Sequence, residues 1–182
     1  MDEKTDAQRR ADFEALYERR FVEVTRYVRR RIDPAAADDA VAEVFLVAWR
    51  RFYDIPTTAE RPWLLATARK VLANGYRSRQ RREALVERLS TDTTTTAADP
   101  TDAVLDRLRV RGTLASLSAA DQEVLRLAAW ERLPPGKMAT VLGCSNAAAK
   151  VRLHRARRRF AVALAAAPPL PAISPDSIEV HP

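Results

Sequence analysis

The stretch Pro135 to Phe160, PGKMATVLGCSNAAAKVRLHRARRRF, leaves this chain few ways to fold locally. Ala139, Gly143 and Ala149 stand where a helix-turn-helix needs small or special residues. Ala139 lets two helices approach closely, and Gly143 supplies the positive φ that a tight turn between them demands. Ser145 is placed to cap the second helix through its hydroxyl, with Asn146 as its competitor. That helix carries Lys150, Arg152, Arg155, Arg157, Arg158 and Arg159, and no acidic residue lies between Glu131 and Asp176. Such a helix is suited to approach a polyanion.

The rest of the composition agrees. The 182 residues carry a formal charge of +7 and the pI is about 10.2, which favours a nucleic-acid partner over an acidic small molecule. No small-molecule substrate and no cofactor is expected. No apolar run approaches the ~20 residues of a spanning helix, so no membrane insertion is expected. The N-terminal MDEKTDAQRR lacks the apolar centre of a signal peptide, and the expected location is cytoplasmic. The single cysteine, Cys144, excludes a disulfide framework within the chain and reads as a small apolar filler. Four glycines among abundant Ala, Leu, Val and Arg point to an all-α fold.

Along the chain, residues 1–12 read as an N-terminal extension. Phe13 to Arg31 places Phe13, Leu16, Tyr17, Val24, Tyr27 and Val28 on one stripe, the mark of an amphipathic helix. A second helix runs from about Pro34 to Phe52 with Val41, Val44, Phe45, Ala48 and Phe52 inward. After a loop, Pro62 opens a third helix reaching Arg82, whose inner side collects Leu64, Leu65, Ala68, Val71, Leu72 and Gly75. Residues 83–101, centred on STDTTTTAADPTD, read as a flexible linker between two small helical domains, 13–82 and 102–165. Helices over Val104 to Leu117 and Asp121 to Trp130 precede the helix-turn-helix. The proline-rich 166–182 reads as an unpacked tail.

Two surfaces carry candidate chemistry. At about 100° per residue, Ala149, Leu153, Ala156 and Phe160 share the inner face of the last helix. Asn146, Ala147, Lys150, Val151 and His154 then stand near base edges, with lysine suited to guanine acceptors and Ala147 and Val151 to thymine methyls. Arg152, Arg155, Arg157 and Arg158 suit phosphates. On the third helix, Trp63, Thr67, Lys70, Asn74, Arg77 and Arg81 follow steps of four and three residues and form a second stripe. Tryptophan above a basic track suits single-stranded DNA, although Trp63 serves equally well to close the core. Asp38, Asp39 and Glu43 on the second helix have no histidine or third converging acid nearby; they favour the helix dipole or a protein partner over catalysis. A nuclease built on them, or a stand-alone helix-turn-helix regulator, are the rival readings.

The order of these parts resembles the extracytoplasmic-function sigma factors, two-domain specificity subunits of bacterial RNA polymerase. AADDAVAEVFLVAWRRF looks like the polymerase-binding segment of that family, and RPWLLATARKVLANGYRSRQRR like its promoter-opening segment. LSAADQEVLRLAAWERLPPGKMATVLGCSNAAAKVRLHRARRRF looks like the segment that binds the upstream promoter element. The resemblance implies a non-enzymatic initiation factor whose Asp39, Glu43, Phe45, Trp49 and Arg50 dock on the clamp of the polymerase largest subunit, with the flap region a further contact. It implies that the loop Tyr53 to Arg61 captures an unpaired base of the minus-ten element and that the stripe from Trp63 to Arg81 holds the separated strand. The minus-thirty-five element falls to Ser145, Asn146, Ala147, Lys150, Val151, Arg152, His154, Arg155 and Arg158. An anti-sigma factor is the regulatory partner it implies.

Overall fold

In the computed structural model the described residues are 3–86 and 102–167, with side chains described over 6–77 and 107–167. Among them there is no strand. Seven α-helices and one short 3-10 turn make up the regular structure. In the N-terminal unit, α1 (Glu3–Arg29), α2 (Pro34–Arg50), the 3-10 turn (Phe52–Asp54) and α3 (Glu60–Val86) enclose one apolar core. α1 gives it Leu16, Val24, Tyr27 and Val28, α2 gives Val41, Val44, Phe45 and Ala48, and α3 gives Leu64, Leu65, Ala68 and Val71. The expected stripes are therefore the buried faces, except that Tyr17 and Gly75 stay exposed. Asp33 starts α2 by accepting the N–H of Ala35 at 2.7 Å, while Pro34 takes a position where no N–H is needed.

α1 begins at Glu3 rather than near Phe13, so most of the expected extension is helix. No apolar stripe announces this part of α1; a long-range contact holds it. The Arg9 guanidinium donates to the carbonyl of Trp49 at 2.7 Å and lies 4.3 Å from the centre of its ring. Phe13 meets the same indole edge-on at 5.1 Å. α3 likewise runs past Arg82 to Val86. The remainder of the expected linker, 87–101, and the tail from 168 onward lie outside the described residues.

The C-terminal unit contains α4 (Asp102–Ala115), α5 (Ala119–Ala129), α6 (Pro135–Leu142) and α7 (Asn146–Ala166). Ser118 caps α5 through the N–H of Asp121. α6 ends as the sequence demands, with Gly143 at φ 63°. The N–H of Cys144 reaches the carbonyl of Ala139 and that of Gly143 the carbonyl of Thr140, the pair of bonds that closes a Schellman turn. Ser145 then caps α7, accepting the N–H of Ala148 at 3.1 Å.

The two units are docked, and their buried apolar residues belong to one cluster. α6 lies against α3, and Lys137 at the start of α6 donates to the carbonyl of Thr58 at 2.9 Å. A buried ionic group ties the boundary. Arg31 reaches both oxygens of Glu123, at 2.9 and 3.2 Å, and Glu131 at 3.5 Å. The Tyr27 hydroxyl donates to Glu123 at 2.8 Å, and Glu131 also faces Arg30 at 3.6 Å and Arg61 at 3.8 Å.

A methyl group added to Gly143 would meet no atom within 4 Å. The cost of Gly143→Ala is therefore purely that of the left-handed backbone, about 1–2 kcal/mol. Denaturant unfolding of the two proteins should show that loss, with the helix content of the folded state unchanged.

Candidate nucleic-acid interface

α7 separates its faces cleanly. Ala149, Leu153 and Ala156 are buried and Phe160 half-buried, while Asn146, Ala147, Lys150, Val151, Arg152, His154, Arg155 and Arg158 are exposed. Among the described residues none of these cations pairs with a carboxylate. Val151 keeps 48 % of its surface in water, an uncompensated apolar side chain on a cationic face, and a thymine methyl is the kind of group that would cover it. Ser145 stands at the edge of this surface, but its oxygen already serves the helix cap.

Arg159 breaks the run of free cations. Its Nη1 lies 2.8 Å from one oxygen of Asp121 and 3.1 Å from the other, and so ties α7 to the start of α5. Burial opposes ionisation of Asp121, but hydrogen bonds from Arg159 and Ser118, with the Arg159 charge, outweigh it and hold the carboxyl below its ordinary range. Asp121 is the only acid that the helix start can offer α7, which is the signal sequence reading could have used.

The α3 stripe is less uniform than its spacing suggests. Lys70, Asn74 and Arg77 are exposed, and Arg77 donates to the Asn74 side chain at 2.7 Å. Thr67 is buried instead, its hydroxyl returned to the carbonyl of Trp63 at 3.1 Å. Its methyl-bearing side chain fits the packed flank of the helix, so it does not belong to the outward track. Trp63 is half-buried under Arg51, whose guanidinium carbon lies 5.9 Å from the ring centre. The side chain of Arg81 lies outside the described residues. At the head of the stripe, Arg61 faces Glu23 at 3.4 Å as well as Glu131.

Tyr53, on the 3-10 turn, is 71 % exposed. Beside it a cavity of about 400 Å³ opens between the loop and α1, lined by Asp12, Arg19, Tyr53, Thr57 and Glu60 among others. An exposed aromatic at the mouth of a half-polar cavity of that size suits a single extruded base.

On α2, Asp39, Glu43 and Arg50 are exposed, whereas Phe45 is buried. Its ring packs on Tyr17 at 4.6 Å and Phe21 at 6.2 Å. Phe45 is thus buried, as its place in the apolar stripe implies. Leu46 is 47 % exposed and, with Asp39, Glu43 and Arg50, continues a four-three-four step along one face. Its displacement from the inward stripe was visible in the sequence. Trp49 is half-buried beneath Arg9. Asp38 pairs with Arg29 at 3.1 Å in the open, and no group of three or more potential metal ligands is gathered among the described residues. Among the described residues no helix is long and apolar enough to cross a membrane.

Residues 107–160 match the family described as Sigma-70, region 4. Over 157 residues the chain is 34 % identical to the ECF RNA polymerase sigma factor SigL of Mycobacterium tuberculosis, covering 82 % of this chain and 87 % of that protein. The chain belongs to the extracytoplasmic-function sigma factors. It is therefore a factor of promoter-directed transcription initiation. Sigma factor SigK of Mycolicibacterium vanbaalenii is 30 % identical over 162 residues, covering 81 % of this chain and 80 % of that one. Among solved structures, CnrH in complex with the cytosolic domain of CnrY has a TM-score of 0.60 and 26 % identity, covering 88 % of this sigma factor and 94 % of that chain. The sigma factor RpoE in complex with the anti-sigma factor NepR, from Bartonella quintana, shares the fold with a TM-score of 0.65 at 21 % identity, over 85 % and 97 % of the two chains.

A carboxyl whose folded-state pKa is depressed adds stability above its unfolded value, and that stability is lost as pH falls through the folded value. For Asp121 the window opens below about pH 4. Acid unfolding of Asp121→Asn should lack the part of the slope that wild type shows there.

Proposed function

We propose that this sigma factor reads the minus-thirty-five element as duplex with α7 and the minus-ten element as opened strand with α3 and the loop before it. The supporting observation is the outer face of α7, exposed, free of carboxylate partners among the described residues and set on a helix with its own cap and a buried inner face. Asn146, Ala147, Lys150, Val151 and His154 meet base edges in the major groove. Arg152, Arg155 and Arg158 follow phosphates. Tyr53 and the cavity beside it receive an extruded base, and Arg61, Trp63, Lys70, Asn74, Arg77 and Arg81 guide the strand.

Core RNA polymerase docks on the α2 face of Asp39, Glu43, Leu46 and Arg50, with Trp49 held beside it by Arg9. The linker keeps both DNA-reading units at high effective concentration once polymerase and promoter are engaged. An anti-sigma factor is the regulatory partner, since similar structures were solved with an anti-sigma factor and with the CnrY cytosolic domain.

Run-off transcription with core polymerase over a random promoter library tests this reading: defined start sites with two separated elements are expected, and failure to bind core polymerase overturns it. On the duplex so identified, Lys150→Ala should lose about 1–3 kcal/mol of binding and discriminate less between matched and mismatched sites. Band-shift titration measures both, and equal affinity for the two proteins removes Lys150 from the reading surface.

A further inference from the structure

We infer that the recess between the two helical units is a binding site for a nucleoside triphosphate, whose phosphate chain its arginines hold and whose base its apolar wall covers. The site is independent of the promoter reading; only its consequence for α7 rests on the assignment of Arg152 and Arg155 proposed above.

The recess has a volume of about 730 Å³, within the range of small-molecule sites. Its lining includes six arginines and two carboxylates. Both carboxylates are already met, Asp121 by Arg159 and Glu123 by Arg31. Arg69 of α3, Arg126 of α5, and Arg152 and Arg155 of α7 pair with no carboxylate among the described residues. Arg126 donates from one Nη to Gln122 at 2.8 Å, while its Nε is buried without a hydrogen-bond partner. Burial, and then the Arg31 charge, weaken the hold of Arg126 on its proton, which a bound phosphate would restore. The start of α5 borders the same space at Ser118, Ala119 and Ala120, and the first N–H groups of a helix have no acceptor within it. Guanidinium groups from three helices and one helix start therefore converge on a volume that the protein's own carboxylates do not neutralise.

A chain of phosphates supplies several negative charges in a row, and its oxygens accept from guanidinium groups in the short, charge-assisted geometry that arginine favours. A single phosphate would leave most of these arginines unmet. The rest of the wall is apolar. Ile32, Leu72 and Leu142 are half-buried against the core and border the recess, and Tyr76 stands beside them with 63 % of its surface exposed. A flat base covers such a wall, as a bare phosphate chain cannot. A recess of this volume admits a nucleotide but not a duplex, whereas Arg152 and Arg155 border the recess and are also exposed to solvent. Nucleotide and upstream duplex thus compete for the same two guanidinium groups.

Isothermal titration calorimetry on the full chain, at constant ionic strength and without magnesium, tests the site with ATP, AMP and tripolyphosphate as probes. ATP should bind at one site per chain, with AMP and tripolyphosphate each at least about tenfold weaker, through lost charge-assisted bonds and lost ring cover respectively. Arg69→Ala and Arg126→Ala should each weaken ATP by about tenfold or more. Arg10→Ala, which removes an exposed cation of α1 outside the recess, should leave it unchanged. In the wild type ATP should also slow hydrogen exchange over residues 118–126, a readout that needs no variant. Absence of saturable ATP binding, or equal losses in Arg10→Ala and Arg69→Ala, overturns the site. Tripolyphosphate binding as tight as that of ATP overturns the nucleotide as its ligand. At an ATP concentration between the two dissociation constants, band shifts of an upstream duplex recovered by the run-off selection should weaken for the wild type and not for Arg69→Ala. Undiminished duplex binding beside measured ATP binding removes Arg152 and Arg155 from the duplex surface and leaves the recess as the nucleotide site.

Discussion

A guanidinium taken out of water has to be neutralised where it lies, and Arg31 is in that position at the boundary of the two units. It is 7 % exposed, against Glu123 and Glu131 at 14 % and 4 %. Buried ion pairs add little net stability over apolar packing, yet removal of one partner costs about 3–5 kcal/mol because the other charge is stranded. Such a group therefore fixes an arrangement more than it strengthens one. Tyr27 sharpens the point. Burial, with Glu123 beside it, raises the phenol well above its ordinary pKa, so it stays a proton donor to that carboxylate. Arg31 in turn sits 3.5 Å over the Tyr27 ring and donates to the Tyr27 carbonyl at 2.9 Å. One end of α1 is thereby committed to the C-terminal unit.

The chain's surplus of positive charge makes the placement of its acids decisive. Asp121 anchors α7 through Arg159, Glu60 receives Arg19 and Arg20 where α3 begins, and Glu123 and Glu131 serve the boundary. Cations that meet no carboxylate among the described residues face solvent on α3 and α7, as others do on α1, α2 and α4. Burial also weakens the hold of Arg126 on its proton, with the nearby Arg31 charge acting in the same direction. That neighbourhood already contains more positive charge than the protein compensates.

Local signals were legible in proportion to how local their physics is. Gly143 and Ser145 act on bonds within a few residues, and both the left-handed turn and the cap are present. The inner faces of α2 and α7 follow from helical period alone. Long-range partners were not legible. Nothing near residues 3–12 announces that Arg9 will stack on Trp49, so the helix looked shorter than it is. Thr67 fell on a four-three stripe, but burial on a helix spreads over an arc wider than one line of residues, and a threonine that bonds its own backbone is content inside it. Phe45 was visible as core in the apolar stripe.

Apolar and polar contacts are distributed unevenly over the two docked units. Within the N-terminal unit, aromatic and aliphatic side chains interlock, from Phe13 on Trp49 and Phe52 to Tyr17 on Phe45. Across the boundary, ionic and hydrogen-bonded contacts and a wide cavity sit beside apolar residues of the shared core cluster. Apolar burial has no substitute in water, so a core of that kind stays closed. Carboxylate and guanidinium groups do have substitutes, in water and above all in phosphate. An interface of that composition is specific when closed.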